Sequence, residues 1–225
     1  MSVAQNIAYF REKLAGTNCK LIAVSKTQSN EAILEAYQAG QRVFGENKVQ
    51  ELAAKYEALP KDIEWHLIGH LQSNKVRFIA PFVATIQSVD SGKLLLEINK
   101  QAQKHDRVQD CLLQIYIAEE ETKFGLSQTE AIELLSSTEF EALAHIRVTG
   151  VMGIATNTPD EDQLRKEFRA LKTCFDQLKQ QFFAGTDSFR EISMGMSSDY
   201  ELAIAEGSTM VRVGSSIFGA RNYNL

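Results

Sequence analysis

The amino-acid sequence predicts an α/β protein whose single domain, residues 1–225, forms one closed (β/α)8 barrel of the TIM type. Eight short apolar runs alternate with longer amphipathic stretches, and no Pro-, Gly- or Ser-rich linker divides the chain. The runs are almost continuously apolar, as parallel strands are when helices cover them. The length of 225 residues is also near that of one such barrel. An open, doubly wound sheet is the alternative that this pattern leaves open.

The eight apolar runs are the predicted strands, and most are rich in Val, Ile, Leu or aromatic residues. They span residues 21–26, 42–46, 65–70, 83–89, 111–118, 146–154, 191–194 and 210–218. An extra helix over residues 3–14 is predicted before the first strand.

Helix start signals lie between the predicted strands. The predicted helices span residues 31–39, 93–104, 131–135, 161–182 and 198–206. Asn30 is expected to cap the first helix, and Ser91 opens the second. Ser127 and Glu130 form a capping box ahead of the third, and the fourth follows Asp160. Strand and helix therefore alternate along the chain.

The composition restricts the classes of partner. The net charge is −5 and charged residues make up 24% of the chain, so neither nucleic acid nor an anionic membrane is an expected partner. Cys19, Cys111 and Cys174 form no C-x-x-C pair, which favours packed thiols in a reducing compartment. No stretch is typical of a signal peptide or a transmembrane helix, so we expect a cytoplasmic protein.

Lys26 is the first candidate site residue, because active sites of such barrels form at the carboxyl ends of the strands. It shares a strand face with Ile22 and Val24, so its amine is expected in the barrel mouth. Partial desolvation of a lysine leaves a nucleophilic amine, which is what imine formation with an aldehyde needs. Considered alone, Lys26 is more readily interpreted as a solvated lysine at a strand end, and only the other predicted site segments favour the imine.

Two glycine- and serine-containing segments follow predicted strands seven and eight, where barrels of this kind commonly bind phosphate. Gly195 permits a tight turn and Ser197 offers a hydroxyl, while Gly214 and Ser215 lie in the second segment. Arg212 shares a strand face with Gly214 and could bring a cation to a ring nitrogen. Ordinary turns and caps, and a structural ion pair for Arg212, are the alternatives.

The remaining candidates carry less information. His66 and His70 are four residues apart on a predicted strand, without acidic or cysteine partners at metal-ligand spacing, so no metal site is predicted. We expect His70 at the rim and His66 packed inside. Lys123 and Gly125 are expected near the barrel mouth.

Several motifs resemble those of one known family. They are AVSKT at 23–27, FGEN at 44–47, HLIGHLQSNK at 66–75, SMGMSSD at 193–199, VRVG at 211–214 and IFGAR at 217–221. Together, and in this order, they resemble the pyridoxal phosphate homeostasis proteins, the YggS/PROSC family. The resemblance covers essentially the whole chain.

This resemblance implies a barrel similar to the N-terminal domain of alanine racemase (fold type III) and pyridoxal 5′-phosphate (PLP) as a Schiff base on Lys26. It implies that Arg212 faces the pyridine nitrogen and that Asn47 lies near the cofactor. It places Ser197, Gly214, Ser215 and the backbone around Met196 at the phosphate.

The function implied is PLP binding for vitamin B6 homeostasis and amino- and keto-acid balance, without turnover. An arginine beside the pyridine nitrogen disfavours its protonation, which makes the ring a poorer electron sink. The sequence ends soon after strand eight, so we expect no second β-domain, a solvent-open site and a monomer. Apo-enzymes that use PLP are possible recipients. A stand-alone PLP-dependent racemase and an aldolase using Lys26 without a cofactor are the alternatives.

Overall fold

The computed structural model describes residues 1–119 and 124–219, and its centre is a closed barrel of eight parallel strands. Each strand pairs with the next along the chain, and the eighth pairs with the first through Lys20↔Met210 and Ala23↔Val213. The predicted barrel is confirmed, and the open doubly wound sheet is wrong.

Five of the eight strands end earlier than the apolar runs predict, two end at the predicted residue, and the seventh ends two residues later. The strands are β1 Lys20–Val24, β2 Val43–Glu46, β3 Glu64–Leu67, β4 Thr85–Val89, β5 Gln109–Gln114, β6 Ile146–Met152, β7 Glu191–Met196 and β8 Met210–Val213. The prediction for the last strand continued to residue 218. That segment instead forms a helical turn, in which the Ile217 N–H donates to the Gly214 carbonyl at 2.9 Å. Ile217 is fully buried there, so its apolar character indicates burial and not a strand.

Helices cover the outside of the barrel. They are α1 Val3–Leu14, α2 Asn30–Gln38, α3 Val49–Ala58, α4 Gly92–Lys104, α5 Gln128–Leu135, α6 Thr138–Glu141, α7 Glu161–Phe182, α8 Tyr200–Ala205 and α9 Ser215–Phe218, with a 3₁₀ helix at Ser73–Phe78. The caps predicted at Ser91, Ser127 and Asp160 are confirmed. Asn30 is not a cap, because the extended residue Ser29 accepts the Ala32 N–H instead.

Helix α3 is absent from the sequence prediction. Its first helical residue follows Lys48, whose side chain makes no capping hydrogen bond. Without a start signal, only its three buried side chains, those of Val49, Leu52 and Lys55, indicate its inner face.

Apolar packing is concentrated between the barrel and the helices. The largest fully buried side chains there include Phe44, Trp65 and Phe168. A second, small apolar cluster of Ile22, Leu112, Met152 and Met210 is separate from it. Polar side chains extend from the strands into the barrel interior beside this cluster, and they lead towards the site.

The cysteines are packed as predicted. Cys19, Cys111 and Cys174 are buried free thiols, and burial raises the pKa of Cys19 and of Cys174 to about 11. In the described part of the chain, every helix is too short or too polar to cross a lipid bilayer.

Candidate functional site

A cavity of about 430 Å³ opens at the carboxyl ends of the strands. All seven sequence-predicted site residues line it: Lys26, Asn47, Met196, Ser197, Arg212, Gly214 and Ser215. Sequence reasoning missed Ile68 and Ile154, which also line it. Polar residues at the ends of the apolar runs are the signal for a site, whereas these two isoleucines come just after β3 and β6 and give the cavity an apolar wall.

Lys26 lies two residues beyond β1 and is half-buried in the wall of this cavity. Ile22 lies in the small apolar cluster, and Val24 lines the cavity beside Lys26, so the predicted shared face leads into the mouth. The chain then turns sharply, since Thr27 has a φ of 62° and its N–H donates to Glu51 Oε1 at 2.6 Å.

A buried ion cluster holds the backbone on both sides of Lys26. Glu46 Oε1 accepts from the Ser25 hydroxyl at 2.6 Å and from Lys55 Nζ at 2.8 Å. Lys55 also donates to the Ser25 carbonyl and to Glu51 Oε1, each at 2.7 Å. Because Glu51 binds Thr27 as well, one cluster fixes both neighbours of Lys26.

Glu46 is therefore not the rim residue that its position at a strand end predicts. It is fully buried, and its carboxyl group faces α3. Gly45 faces inward, where a Cβ would lie 3.0 Å from Ile22 Cγ2, so Phe44 and Glu46 must face the helices. Burial raises the pKa of Glu46, although the Lys55 ammonium opposes this shift.

The two glycine- and serine-containing segments lie side by side at the cavity. The Gly214 N–H donates to Ser197 Oγ at 3.3 Å. The N–H groups of Ser197, Ser198, Ser215 and Ser216 donate to no acceptor within residues 1–119 and 124–219. Converging backbone donors of this kind suit an anion. The segments therefore offer donors to a phosphate without any lysine or arginine of their own.

Asn47 reaches the cavity because Gly69, which has no side chain, allows the Asn47 backbone to lie close to it. A Cβ on Gly69 would lie 2.4 Å from the Asn47 carbonyl oxygen. His70 is exposed outside the cavity lining, where its Nδ1 lies 3.0 Å from Asp90 Oδ2 and its ring stacks on Phe124. Lys123, predicted near the mouth, lies outside the described residues, as does Arg221 of the last motif.

Arg212 supplies a buried cation at the cavity. Its NH1 donates to Ser193 Oγ at 2.7 Å, and its NH2 donates to the Gly153 carbonyl at 2.8 Å. No carboxylate in the described ranges lies within ion-pair distance, so the structural ion pair considered for it is not observed. Burial lowers the pKa of Arg212 to about 10 while Asp199 opposes the shift, and the guanidinium therefore stays protonated at neutral pH.

The relatives of this chain decide its family. The sequence profile of the alanine racemase N-terminal domain matches residues 1–222. A pyridoxal phosphate homeostasis protein of Aquifex aeolicus is 42% identical over 210 residues, which cover 92% of this chain and 90% of that protein. This chain belongs to the pyridoxal phosphate homeostasis protein family. The resemblance predicted from the motifs is thereby confirmed.

Solved structures agree with this family and with its fold. PipY of Synechococcus elongatus, solved with PLP bound, is 37% identical with a TM-score of 0.86, over 97% of this chain and 100% of that one. The same protein without PLP has a TM-score of 0.90. Alanine racemase of Bartonella henselae, 17% identical with a TM-score of 0.74, matches 99% of this chain and 60% of its own. At that identity it shows the barrel fold alone, which is the fold that the sequence predicted.

Proposed function

We propose that this protein binds PLP as a Schiff base on Lys26 and holds it in reserve for vitamin B6 homeostasis, without catalytic turnover. The observation that carries the proposal is the convergence of an amine, a set of backbone donors and a buried cation on one cavity. The PLP-bound structure of PipY, a relative with 37% identity, supports the choice of cofactor.

The cavity residues fit the three polar parts of this cofactor. The bound cofactor supplies an aldehyde for the imine and an electron-withdrawing ring. Lys26 provides the amine, and the bond to its Nζ forms with release of water. The donors around Ser197 and Ser215 bind the phosphate. Arg212 donates to the pyridine nitrogen, and Asn47 lies beside the ring.

The same residues favour holding the cofactor over using it. The Arg212 cation disfavours a proton on the pyridine nitrogen, which weakens the ring as an electron sink. Lys26 and Arg212 are the titratable side chains in the described lining of the cavity. Racemisation needs proton exchange on both faces of a carbon, and Lys26 supplies this on one face.

The cellular setting is part of the same proposal. Three buried free thiols suit a reducing compartment, so we place the protein in the cytoplasm. The proposal takes it to act as a monomer. An imine is reversible, so the cofactor held on Lys26 is available to apo-enzymes, and through them it affects amino- and keto-acid pools.

The decisive experiment is borohydride reduction of the PLP-loaded protein followed by peptide mass mapping. We expect pyridoxyl modification at Lys26. Lys26→Ala abolishes it, whereas the matched Lys20→Ala, at the other end of β1, retains it. Lys20 is ion-paired with Glu191 at 2.9 Å and lies outside the cavity lining. Modification at any other lysine would contradict the assignment.

Turnover is tested separately by incubating the loaded protein with L-amino acids in deuterated water. We expect no α-hydrogen exchange that depends on Lys26. Appreciable exchange would identify a racemase-type enzyme. Absence of a visible imine band after incubation with PLP would instead favour a lysine that works without this cofactor.

A further inference from the structure

A chain of four hydrogen bonds crosses the inside of the barrel from Arg212 to Glu64. Arg212 NH1 lies 2.7 Å from Ser193 Oγ, which lies 2.7 Å from Gln87 Oε1. Gln87 Nε2 lies 2.8 Å from His66 Nδ1, and His66 Nε2 lies 3.0 Å from Glu64 Oε1. Gln87 on β4 and Ser193 on β7 belong to strands that are not neighbours, so their bond spans the interior.

Every donor in this chain of hydrogen bonds points towards Glu64. The guanidinium can only donate, so Ser193 accepts from Arg212 and gives its one proton to Gln87 Oε1. The amide nitrogen of Gln87 then donates to His66 Nδ1. This direction assigns the His66 ring proton to Nε2, which donates to Glu64 Oε1. The chain therefore runs unbroken from a buried cation to a distant carboxylate.

This arrangement gives Arg212 an indirect counter-charge. A buried cation is costly unless it is paired or well hydrogen-bonded, and Arg212 forms no ion pair with a described carboxylate, although Asp199 acts on it from beyond ion-pair distance. Hydrogen bonds aligned in one direction polarise one another, so the negative end strengthens the donor end. The hydrogen bond with His66 also holds the pKa of Glu64 below its usual range, as expected for a chain that ends on a carboxylate anion.

Filling space does not account for these side chains. The small apolar cluster shows that Ile22, Leu112 and Met152 can pack in the same fold. Replacing buried polar networks with apolar residues of similar volume is often neutral or stabilising. The polar side chains of His66 and Gln87, at most 1% exposed, thus point to a role in orientation.

We propose that Ser193, Gln87 and His66 are positioning residues that aim the Arg212 guanidinium at the pyridine nitrogen, with Glu64 at the opposite mouth as its counter-charge. This inference rests on the proposed function, because it concerns the group that faces the ring. Its distinctive consequence is that the two ends of the barrel are connected: a change at Glu64 or His66 alters the electronic state of a cofactor bound at the far end.

The test compares Gln87→Leu with the matched control Gln109→Leu. Gln109 is a buried glutamine on β5 that donates to the Ala84 and Asp110 carbonyls and takes no part in this chain of hydrogen bonds. We expect both variants to form the imine with PLP. The absorption maximum of the imine band shifts in Gln87→Leu and stays at the wild-type position in Gln109→Leu.

Nitrogen-15 NMR of His66 provides a second readout, which begins with the cofactor-free protein. We expect the neutral tautomer with the proton on Nε2. Adding PLP moves the Nδ1 resonance of His66 in the wild type, and this response is lost in Gln87→Leu. A purely structural glutamine would change stability without breaking communication between the two ends.

The outcomes separate the two proposals. If the wild type forms no imine, the proposed function fails, whereas a His66 proton on Nδ1 in the cofactor-free protein refutes the chain itself. An unchanged imine band with an intact His66 response in Gln87→Leu overturns the positioning role. Should Gln87→Leu not fold, Glu64→Gln at a half-exposed position replaces it, and we expect a smaller band shift in the same direction.

Discussion

The two mouths of the barrel differ in how their charges are compensated. The amino-end mouth holds a cavity of about 340 Å³, and its cations are paired: Lys20 with Glu191 at 2.9 Å and Arg147 with Asp110 at 2.6 Å. The carboxyl-end cavity, of about 430 Å³, contains Arg212 with no adjacent carboxylate in the described chain. The two cavities are of similar size, but the amino-end lining is mainly polar, whereas the carboxyl-end lining is more apolar and includes Ile68 and Ile154. The carboxyl-end cavity therefore combines an apolar wall with a buried cation that forms no direct ion pair in the described chain.

Lys20 at the start of β1 and Lys26 just after its end lie at opposite mouths of the barrel, and different contacts hold them in place. Lys20 is half-exposed and makes a single ion pair. Lys26 follows a segment whose backbone is held by the buried group of Glu46 and Lys55. A buried ion pair therefore holds the backbone beside Lys26, whereas Lys20 has one partly exposed ion pair.

The largest effect is expected when this support is removed. Lys55→Met leaves Glu46 buried without its counter-charge, which costs about 3–5 kcal/mol in the free energy of unfolding. Urea unfolding at neutral pH measures it. The control Lys61→Met breaks an exposed pair with Glu57 and changes stability by about 0–1 kcal/mol. Equal losses in the two variants would mean that the buried cluster gives no special support.

A smaller difference in the free energy of unfolding is expected between alanine substitutions of two glycines at opposite ends of the barrel. Gly195 and Gly185 both have positive φ, 93° and 79°, but only at Gly195 would a Cβ collide, at 2.5 Å from Ala203 Cβ. We expect Gly195→Ala to cost about 1–3 kcal/mol more than Gly185→Ala in the same unfolding assay, and to weaken PLP binding. Similar costs would show that the left-handed backbone, and not the close packing beside the phosphate donors, dominates.

Arg212→Met and Arg147→Met compare the two cations directly. Arg147→Met removes a half-exposed cation from the amino-end mouth and is expected to leave the imine spectrum unchanged. Arg212→Met should alter that spectrum while PLP affinity falls by about tenfold or less, or about 1.4 kcal/mol, because Lys26 and the phosphate donors remain. Complete loss of PLP from Arg212→Met would contradict its assignment to the ring nitrogen.

The sequence predicts the residues of the carboxyl-end mouth much better than the contacts made elsewhere inside the barrel. Lys26, Ser197 and Arg212 were identifiable because the carboxyl ends of parallel strands meet at one rim. Gln87 was not identified, and His66 was correctly predicted to be packed inside but without its partners. Their meaning depends on which strands lie opposite each other, and that is settled only when the barrel closes.

The predicted carboxyl end of β8 was wrong for a local reason. Burial from a helical turn and burial in a strand leave the same apolar signal, so residue 217 extended the predicted β8. The direction of the Glu46 side chain could not be predicted from the sequence, because it follows from the inward packing of Gly45, and a one-residue shift would have reversed it.

The smallest expected effect is the pH dependence of two carboxyl groups, that of Glu64 at the amino-end mouth and that of Glu46 buried against α3. The pKa of Glu64 is lowered by its hydrogen bond with His66, so the stability that it contributes is present above the unfolded-state pKa of about 4.3 and is lost as pH falls through the folded value. The pKa of Glu46 is raised by burial, so its contribution is present at low pH and is lost as pH rises through its folded value. We therefore expect the stability difference between wild type and Glu64→Gln to grow with pH, by less than about 1 kcal/mol because Glu64 is half-exposed. The corresponding difference for Glu46→Gln should shrink with pH. Unfolding curves measured from acidic to neutral pH give both stability differences. If the two differences changed with pH in the same direction, Lys55 would outweigh burial at Glu46, and the two carboxyl groups would respond to pH alike.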